Sequence, residues 1–416
     1  MKRRTFLGAA ALSVATAMAP RSSRAANPRV VIVGGGFGGS ACALLLKQAD
    51  PSVDVTLIDP DERYVTCPMS NEVVVGARTI ASLTLTREGL RRAGVRFLRA
   101  RAAALDADAR NVRLHDGSRR TYDMCVVAPG IRFLWGTPEG YDEAAAERMP
   151  HAWEAGAQTM RLAERLRAMD DGGVFAISVP AGLMRCPPGP YERASLIAEF
   201  LARHKPRSKV LIFDANNRFP RQEIFTAAWD TRYHGRIEWI PPMQGGAVER
   251  VDPRANTLHT ASGAHRVALA NVIPPQAPGR FATDVGLASG HGWCPVDSAS
   301  FESTQVPHVY VIGDASIADA MPKAASAALS QARQCVAAIV ARLRGRELPA
   351  PELSSVCYSA VALDRALAIR ARFRIAEGRI EPDTAAATDA PSPPSAAERD
   401  AAQAWYRSIR ETCFAA

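Results

Sequence analysis

RVVIV, residues 29 to 33, reads as a buried strand, and GGGFGGSACALLL follows it directly, setting Gly34, Gly36 and Gly39 in G-x-G-x-x-G spacing. A second strand, VDVTLID, ends on Asp59, twenty residues beyond Gly39. No other feature constrains the fold so tightly. Glycines let a backbone approach a pyrophosphate, the helix N-terminus faces its charge, and a carboxylate at the end of the next strand accepts from ribose hydroxyls. The order strand, glycine turn, helix, strand, acid therefore predicts an α/β dinucleotide-binding domain.

Two later segments select the dinucleotide. YDMCVVAPG, residues 122 to 130, is a strand running into a Pro-Gly turn, and HVYVIGDAS, residues 308 to 316, is a strand ending on Gly313 and Asp314. The latter is similar to the distal FAD motif of flavoproteins with two dinucleotide-binding domains, which favours FAD over NAD. Residues 27–150 and 283–350 then form one discontinuous FAD-binding domain, interrupted by a second unit over 151–282 and followed by a C-terminal flavin or interface domain over 351–416. The expected fold class is α/β: two Rossmann-like domains of the glutathione-reductase type plus a C-terminal α+β domain.

The interrupting unit repeats the pattern with one departure. GGVFAISVP is a buried strand, PYERASLIAEFLARH an amphipathic helix, and SKVLIFDA a strand ending on Asp214. Where its phosphate loop belongs stands GLMRCPPGPYER, residues 182 to 193. Pro187, Pro188 and Pro190 have no N–H to offer a pyrophosphate and stiffen the loop that would wrap it. The expectation is a nucleotide fold without its nucleotide. In its place the loop presents Cys186 ahead of a helix N-terminus, a position that favours a reactive thiolate. Glu192, in the first turn, either accepts a proton or caps the helix.

Five of the nine net positive charges of this 416-residue chain lie in its first 25 residues. The rest are scattered among acids, with no basic stripe or aromatic ladder, which excludes a nucleic-acid binder. The opening MKRRTFLGAAALSVATAMAPRSSRAANP has a basic start, a short apolar run and small residues near Ala25. It resembles a twin-arginine export signal over residues 1–26, the route of proteins that fold around a cofactor before crossing, and implies a periplasmic protein; an anchoring N-terminal helix is the other reading. Eight cysteines without a C-x-x-C pair, and eight dispersed histidines, predict no metal site and no attached c-type haem.

Several unusual strings together resemble the flavoprotein subunit of flavocytochrome c sulfide dehydrogenase. They are YVTCPMSNEVV (64–74), HAWEAGAQT (151–159), RCPPGPYERAS (185–195), NVIPPQAPGR (271–280), GWCPVD (292–297), VYVIGDASIADAMPK (309–323) and CYSAVALDRALAI (357–369). The resemblance implies that Cys67 bonds covalently to the 8α position of FAD, that Cys186 and Cys357 form a redox-active disulfide beside the flavin, and that Glu192 is a carboxylate near it. Gly34, Gly36, Gly39, Asp59, Gly313, Asp314 and Lys323 complete the cofactor-binding set. Cys42, Cys125 and Cys335 fall at core positions, Cys335 being the rival partner for Cys186, while Cys294 and Cys413 have no assigned place. The stretch 380–403, rich in Ala and Pro, reads as a surface loop.

The implied chemistry is attack of hydrosulfide on the Cys186–Cys357 disulfide, with electrons passing through FAD to a separate c-type cytochrome subunit. Three rivals share parts of the pattern. A sulfide:quinone oxidoreductase would need an apolar quinone pocket and a membrane-dipping C-terminus, whereas RDAAQAWYRSIRETCFAA carries charges throughout. A pyridine-nucleotide oxidoreductase is disfavoured by the prolines. A non-catalytic flavin-binding partner would have no use for a paired disulfide.

Overall fold

The structure, a computed structural model, describes residues 27–288, 292–385 and 393–416. The leader expected over residues 1–26 lies outside them. Arg29–Val33, buried over its last four residues, pairs in parallel with Asp54–Asp59 on one side and Met124–Val127 on the other. Arg96–Arg99 extends the sheet beyond Asp54–Asp59, and Val309–Val311, from far along the chain, extends it beyond Met124–Val127. Near-continuous Val and Ile runs buried on both faces are what a parallel sheet requires. The strand-to-strand crossover is the helix Phe37–Ala49, which packs against the helix Ala325–Arg344.

A second, four-stranded parallel sheet runs in the order Ile237–Ile240, Lys209–Asp214, Val174–Val179, Leu269–Val272. The helices Gly189–His204 and Gln222–Tyr233 bury Ile197, Leu201, Phe225 and Trp229 against it. The remaining chain forms an antiparallel sheet of Leu353–Ala362, Arg365–Ala376 and Arg379–Pro382, backed by the helix Ala396–Phe414. This is the α/β fold with two dinucleotide-type units and a C-terminal α+β layer that the sequence predicts. Strand Leu353–Ala362 lies against both helix Ala325–Arg344 and helix Gly189–His204, so the C-terminal layer touches both units.

The surface loop expected over 380–403 is shorter than that. Strand Arg379–Pro382 occupies its start, and the C-terminal helix begins at Ala396, where the Ser395 hydroxyl accepts the Glu398 N–H. Ser395 and Glu398 have the S-x-x-E spacing of a capping box, a helix-start signal that the alanine and proline content obscures.

The first glycine turn is held by contacts that leave no room for a side chain. Gly34 adopts φ +101°, and a Cβ on Gly39 would lie 1.9 Å from the Gly34 carbonyl oxygen. Gly39→Ala is therefore expected to separate helix from turn at a cost of about 3 kcal/mol. Chemical denaturation compares the variant with the parent chain; an unchanged midpoint would show that the turn does not depend on this contact.

Candidate active site

The first turn presents the amides a diphosphate needs. Helix Phe37–Ala49 starts at Gly36 with no side chain capping its N-terminus and no acid in its first turn. Its exposed N–H groups and the helix dipole point the same way, a suitable seat for an anion. Asp59 accepts the Gly35 N–H at 2.6 Å and pairs with Arg87 at 3.2 Å. Arg87, 1% exposed, also donates to the carbonyls of Gly35 at 2.5 Å and Asp61 at 3.2 Å. This arginine, which the sequence does not single out, fixes the turn and the acid relative to each other. The residues of this end fit the adenosine and pyrophosphate portion of FAD.

At the other end of the same sheet Gly313, at φ +76°, donates its N–H to Gln331 Oε1 at 2.7 Å, and Asp314 pairs with Arg185 at 3.0 Å. Arg185 Nη1 lies 3.3 Å from the Cys67 sulfur, so one guanidinium joins Cys67 to Asp314. Lys323 Nζ donates to the carbonyls of Asp314 at 2.7 Å and Ser316 at 3.0 Å and stands over the Trp293 ring. Burial lowers the Lys323 ammonium to about 8 against the opposing pull of Asp314. The Lys323 carbonyl accepts the Cys186 N–H at 2.8 Å. The distal FAD segment is thereby tied directly to the proline loop.

Cys186 sits at φ +51°, an uncommon conformation for a residue with a side chain, held by that bond and by the Gly189 N–H, which donates to its carbonyl at 2.8 Å. A Cβ on Gly189 would lie 3.1 Å from the Cys186 sulfur. None of the eight cysteines is joined to another in this structure, which shows the expected Cys186–Cys357 pair in its reduced form. Cys186 interacts electrostatically with Cys357, Glu192 and Cys67, which places the three sequence-derived reactive residues and the flavin-attachment candidate in one cluster. Cys357 is on strand Leu353–Ala362, opposite Ile369.

The expected thiolate at Cys186 does not follow from the geometry. Burial, reinforced by Cys357 and Glu192, holds its thiol well above the usual cysteine range, and burial raises Cys357 to about 11. The helix Gly189–His204 begins three residues further on, and its terminal field is weaker than the desolvation of the sulfur. Glu192 is raised to about 8 by burial and by the nearby Glu72 carboxylate, against Asn71, Arg399 and Arg193. At neutral pH Glu192 holds a proton, and its carboxyl meets the Asn71 side chain.

The next residue organises this cluster. Arg193, 2% exposed, donates to Asn71 Oδ1 at 2.9 Å, Asn271 Oδ1 at 2.8 Å, and the carbonyls of His151 at 3.0 Å and Ala152 at 2.6 Å. Its guanidinium also lies over the Trp153 ring. Glu72, equally buried, is clamped by Arg399 at 2.7 Å and Arg78 at 2.9 Å.

The second unit offers little to a nucleotide. Between residues 185 and 190 three positions are proline, and the Arg185, Cys186 and Gly189 N–H groups are spent on Gln276, Lys323 and Cys186. Asp214, the counterpart of Asp59, is fully buried and accepts from the Tyr191 hydroxyl at 2.5 Å, Trp239 Nε1 at 2.9 Å and the Asn216 N–H at 2.9 Å. The Tyr191 ring stacks on Phe219 with centroids 3.7 Å apart.

Cys335, the rival partner for Cys186, instead meets Cys42 inside the core shared by helices Phe37–Ala49 and Ala325–Arg344. Cys125, Cys294 and Cys413 are buried. Among the described residues no group of three or more His, Cys, Asp or Glu side chains is gathered for a metal.

Known families match three stretches of the chain. The pyridine nucleotide-disulphide oxidoreductase profile covers residues 28–155, the central profile of the sulfide dehydrogenase [flavocytochrome c] flavoprotein chain covers 159–274, and the flavocytochrome c sulphide dehydrogenase flavin-binding profile covers 349–414. A flavocytochrome c sulfide dehydrogenase flavoprotein chain from Chlorobaculum thiosulfatiphilum is 58% identical over 45 residues, 11% of this chain and 94% of that sequence. The mitochondrial sulfide:quinone oxidoreductase of Mus musculus is 22% identical over 310 residues, 68% of this chain and 65% of that protein's length. The solved sulfide:quinone oxidoreductase of Aquifex aeolicus superposes with a TM-score of 0.74 at 17% identity, covering 94% of this chain and 93% of that one.

Fold and site together define a flavoprotein oxidoreductase of the pyridine nucleotide-disulphide oxidoreductase class. Within that class the chain belongs to the family of flavocytochrome c sulfide dehydrogenase flavoprotein chains.

The raised Glu192 carboxyl makes folding pH-dependent. Because the folded state binds its proton more tightly than the unfolded state, Glu192 contributes no penalty below about pH 4.5, and stability falls as pH rises towards about 8. The slope from this one group is at most about 1.4 kcal/mol per pH unit. Glu192→Gln is expected to flatten it, as read by denaturant midpoints between pH 5 and 8. A slope identical in the parent and the variant would mean that Glu192 is ionised throughout.

Proposed function

We propose that this chain is the flavoprotein subunit of a periplasmic sulfide dehydrogenase, oxidising hydrosulfide through a Cys186–Cys357 disulfide and passing electrons by way of FAD to a separate c-type cytochrome. The observation that carries this reading is the gathering of Cys186, Cys357 and Glu192 in one half-buried cluster that also reaches Cys67.

The chemistry balances on residues of this chain. Hydrosulfide attacks one sulfur of the disulfide, the S–S bond breaks, and the products are a persulfide on that cysteine and a thiolate on the other. Burial opposes the new negative charge, and Glu192, protonated at neutral pH, stands within its field to supply a proton. Bound FAD would supply an acceptor for the electron pair left on the cysteines, one able to give up electrons singly. Gly34, Gly36, Gly39, Asp59, Gly313, Asp314 and Lys323 would hold it, and Cys67 would tether it covalently. A tether suits a cofactor retained outside the cytoplasm, a location supported by the resemblance of residues 1–26 to a twin-arginine signal. The sequence contains no C-x-x-C-H, so a haem acceptor belongs on another chain.

The quinone alternative takes its support from the mouse and Aquifex relatives. The C-terminal helix speaks against it: Ala402, Tyr406, Ile409, Cys413 and Phe414, its apolar stripe, are buried in the protein's own core. No helix among the described residues is long and apolar enough to cross a membrane.

An anaerobic sulfide titration, followed by flavin absorbance and intact mass, tests the reading. Sulfide is expected to bleach the flavin, NADH to leave it oxidised, and FAD to stay on the denatured chain. Cys186→Ser is expected to abolish bleaching by sulfide while dithionite still reduces the flavin. Reduction by NADH but not by sulfide would sink the proposal, and FAD lost on denaturation would remove the Cys67 tether.

A further inference from the structure

A cavity of about 420 Å³ lies between the helix Ala325–Arg344, the strands Leu353–Ala362 and Arg365–Ala376, and the C-terminal helix. Its charge is one-sided. Arg333, Arg370 and Arg372 line it, and among the described residues no carboxylate does. Arg370 pairs with Glu398 at 2.8 Å, whereas Arg333 and Arg372 are exposed and have no ion pair among the described residues. Six hydroxyl-bearing side chains add donors, Ser326, Ser330 and Ser355 on the inner walls among them. Leu329, Val356, Ala371, Trp405 and Ile409 supply an apolar lining.

The inner end of this cavity abuts the sulfur chemistry. Ser326 Oγ accepts the Val356 N–H at 3.1 Å and lies close enough to the Cys357 thiol to oppose the effect of its burial. A hydrosulfide ion, little larger than the ~30 Å³ of a water molecule, fills a small part of the space. A neutral quinone would leave two unpaired guanidinium groups facing it without a counter-charge. The lining instead suits a ligand with charged ends and a soft apolar body, since arginines attract anions into a partly enclosed, low-dielectric space and the apolar wall packs the body.

We propose that this cavity binds inorganic polysulfide, the anionic sulfur chain released when hydrosulfide or a shorter polysulfide attacks the outer sulfur of the cysteine persulfide, one S–S bond forming as the bond to the cysteine sulfur breaks, and the electron pair of each added sulfur leaving to FAD as the Cys186–Cys357 disulfide re-forms. The assignment rests on the proposed function for its ligand and on the cavity's own geometry for its location. Arg333 and Arg372 hold the charged ends, and the Leu329, Val356 and Trp405 wall carries the chain.

Calorimetric titration of the oxidised, full-length holoprotein with sodium tetrasulfide, thiosulfate and inorganic phosphate tests it, with Cys186→Ser run in parallel so that opening of the disulfide does not enter the signal. Tetrasulfide is expected to bind at least tenfold more tightly than phosphate. Arg333→Gln combined with Arg372→Gln is expected to weaken tetrasulfide at least tenfold, and Arg372→Gln alone to weaken it less; thermal melting checks that each variant folds. Equal affinity for phosphate would make this a general oxyanion site and overturn the proposal, as would tetrasulfide binding that ignores both arginines. Failure of sulfide to bleach the flavin would overturn the proposed function, and is read in a separate experiment from this binding.

Discussion

One buried guanidinium underlies the arrangement of the site. Arg193 joins Asn71, beyond the Cys67 loop, to the carbonyls of residues 151 and 152 and to Asn271 at the edge of the second sheet. Asn271 in turn donates to the carbonyls of Pro150 and His151. An arginine taken out of water is tolerable only when its donors are matched, and here three nitrogens face four acceptors that no other residue could satisfy together. The Arg193 charge also presses the neighbouring histidine: burial first, then this guanidinium, hold His151 near 3, so it stays neutral and accepts the Trp153 N–H. Four segments distant in sequence are brought to one point; Glu192 sits on the helix that carries that point and Cys186 on the loop leading into it.

This convergence explains which parts of the site were legible in the sequence. The glycine spacing and Asp59 follow a local rule, a strand, a turn and a helix within thirty residues or so, and the parallel sheet forms where that rule predicts. Cys67, Cys186 and Cys357 stood out through the strings around them. Arg185 and Arg193 lie inside one of those strings, yet their roles depend on partners reached only through the tertiary fold: Cys67 and Asp314 for one, Asn71 and Asn271 for the other. Arg87 had no local signal at all. The boundary of the C-terminal helix was hidden for a different reason, because composition outweighed the Ser395–Glu398 cap.

The thiols show where a local rule loses to burial. A helix N-terminus favours a thiolate by the partial charge of its free amides, an effect confined to the first turn. Cys186 lies outside that turn and is enclosed by the Trp153 ring, the Cys357 strand and the Glu192 helix, so desolvation decides its proton affinity. Two half-buried sulfurs and a protonated carboxyl form a cluster that tolerates one negative charge poorly and two hardly at all. Such a cluster favours chemistry in which charge arrives with an anion and leaves as electrons, without accumulating.

The Asp214 site carries a consequence for what the second unit can bind. In the first unit the acid at the end of the second strand faces its glycine turn; in the second, the equivalent carboxylate is saturated by Tyr191, Trp239 and Asn216, and the Tyr191 ring stacks where the strand edge would otherwise be open. Tyr191 is reached from the same stretch that supplies Pro187, Pro188 and Cys186. Seating a reduced pyridine nucleotide would require removing the prolines, unseating Tyr191 and freeing Asp214 at once, and the last two leave buried polar groups without their partners. A pyridine nucleotide at this site would therefore need several packed contacts to give way together.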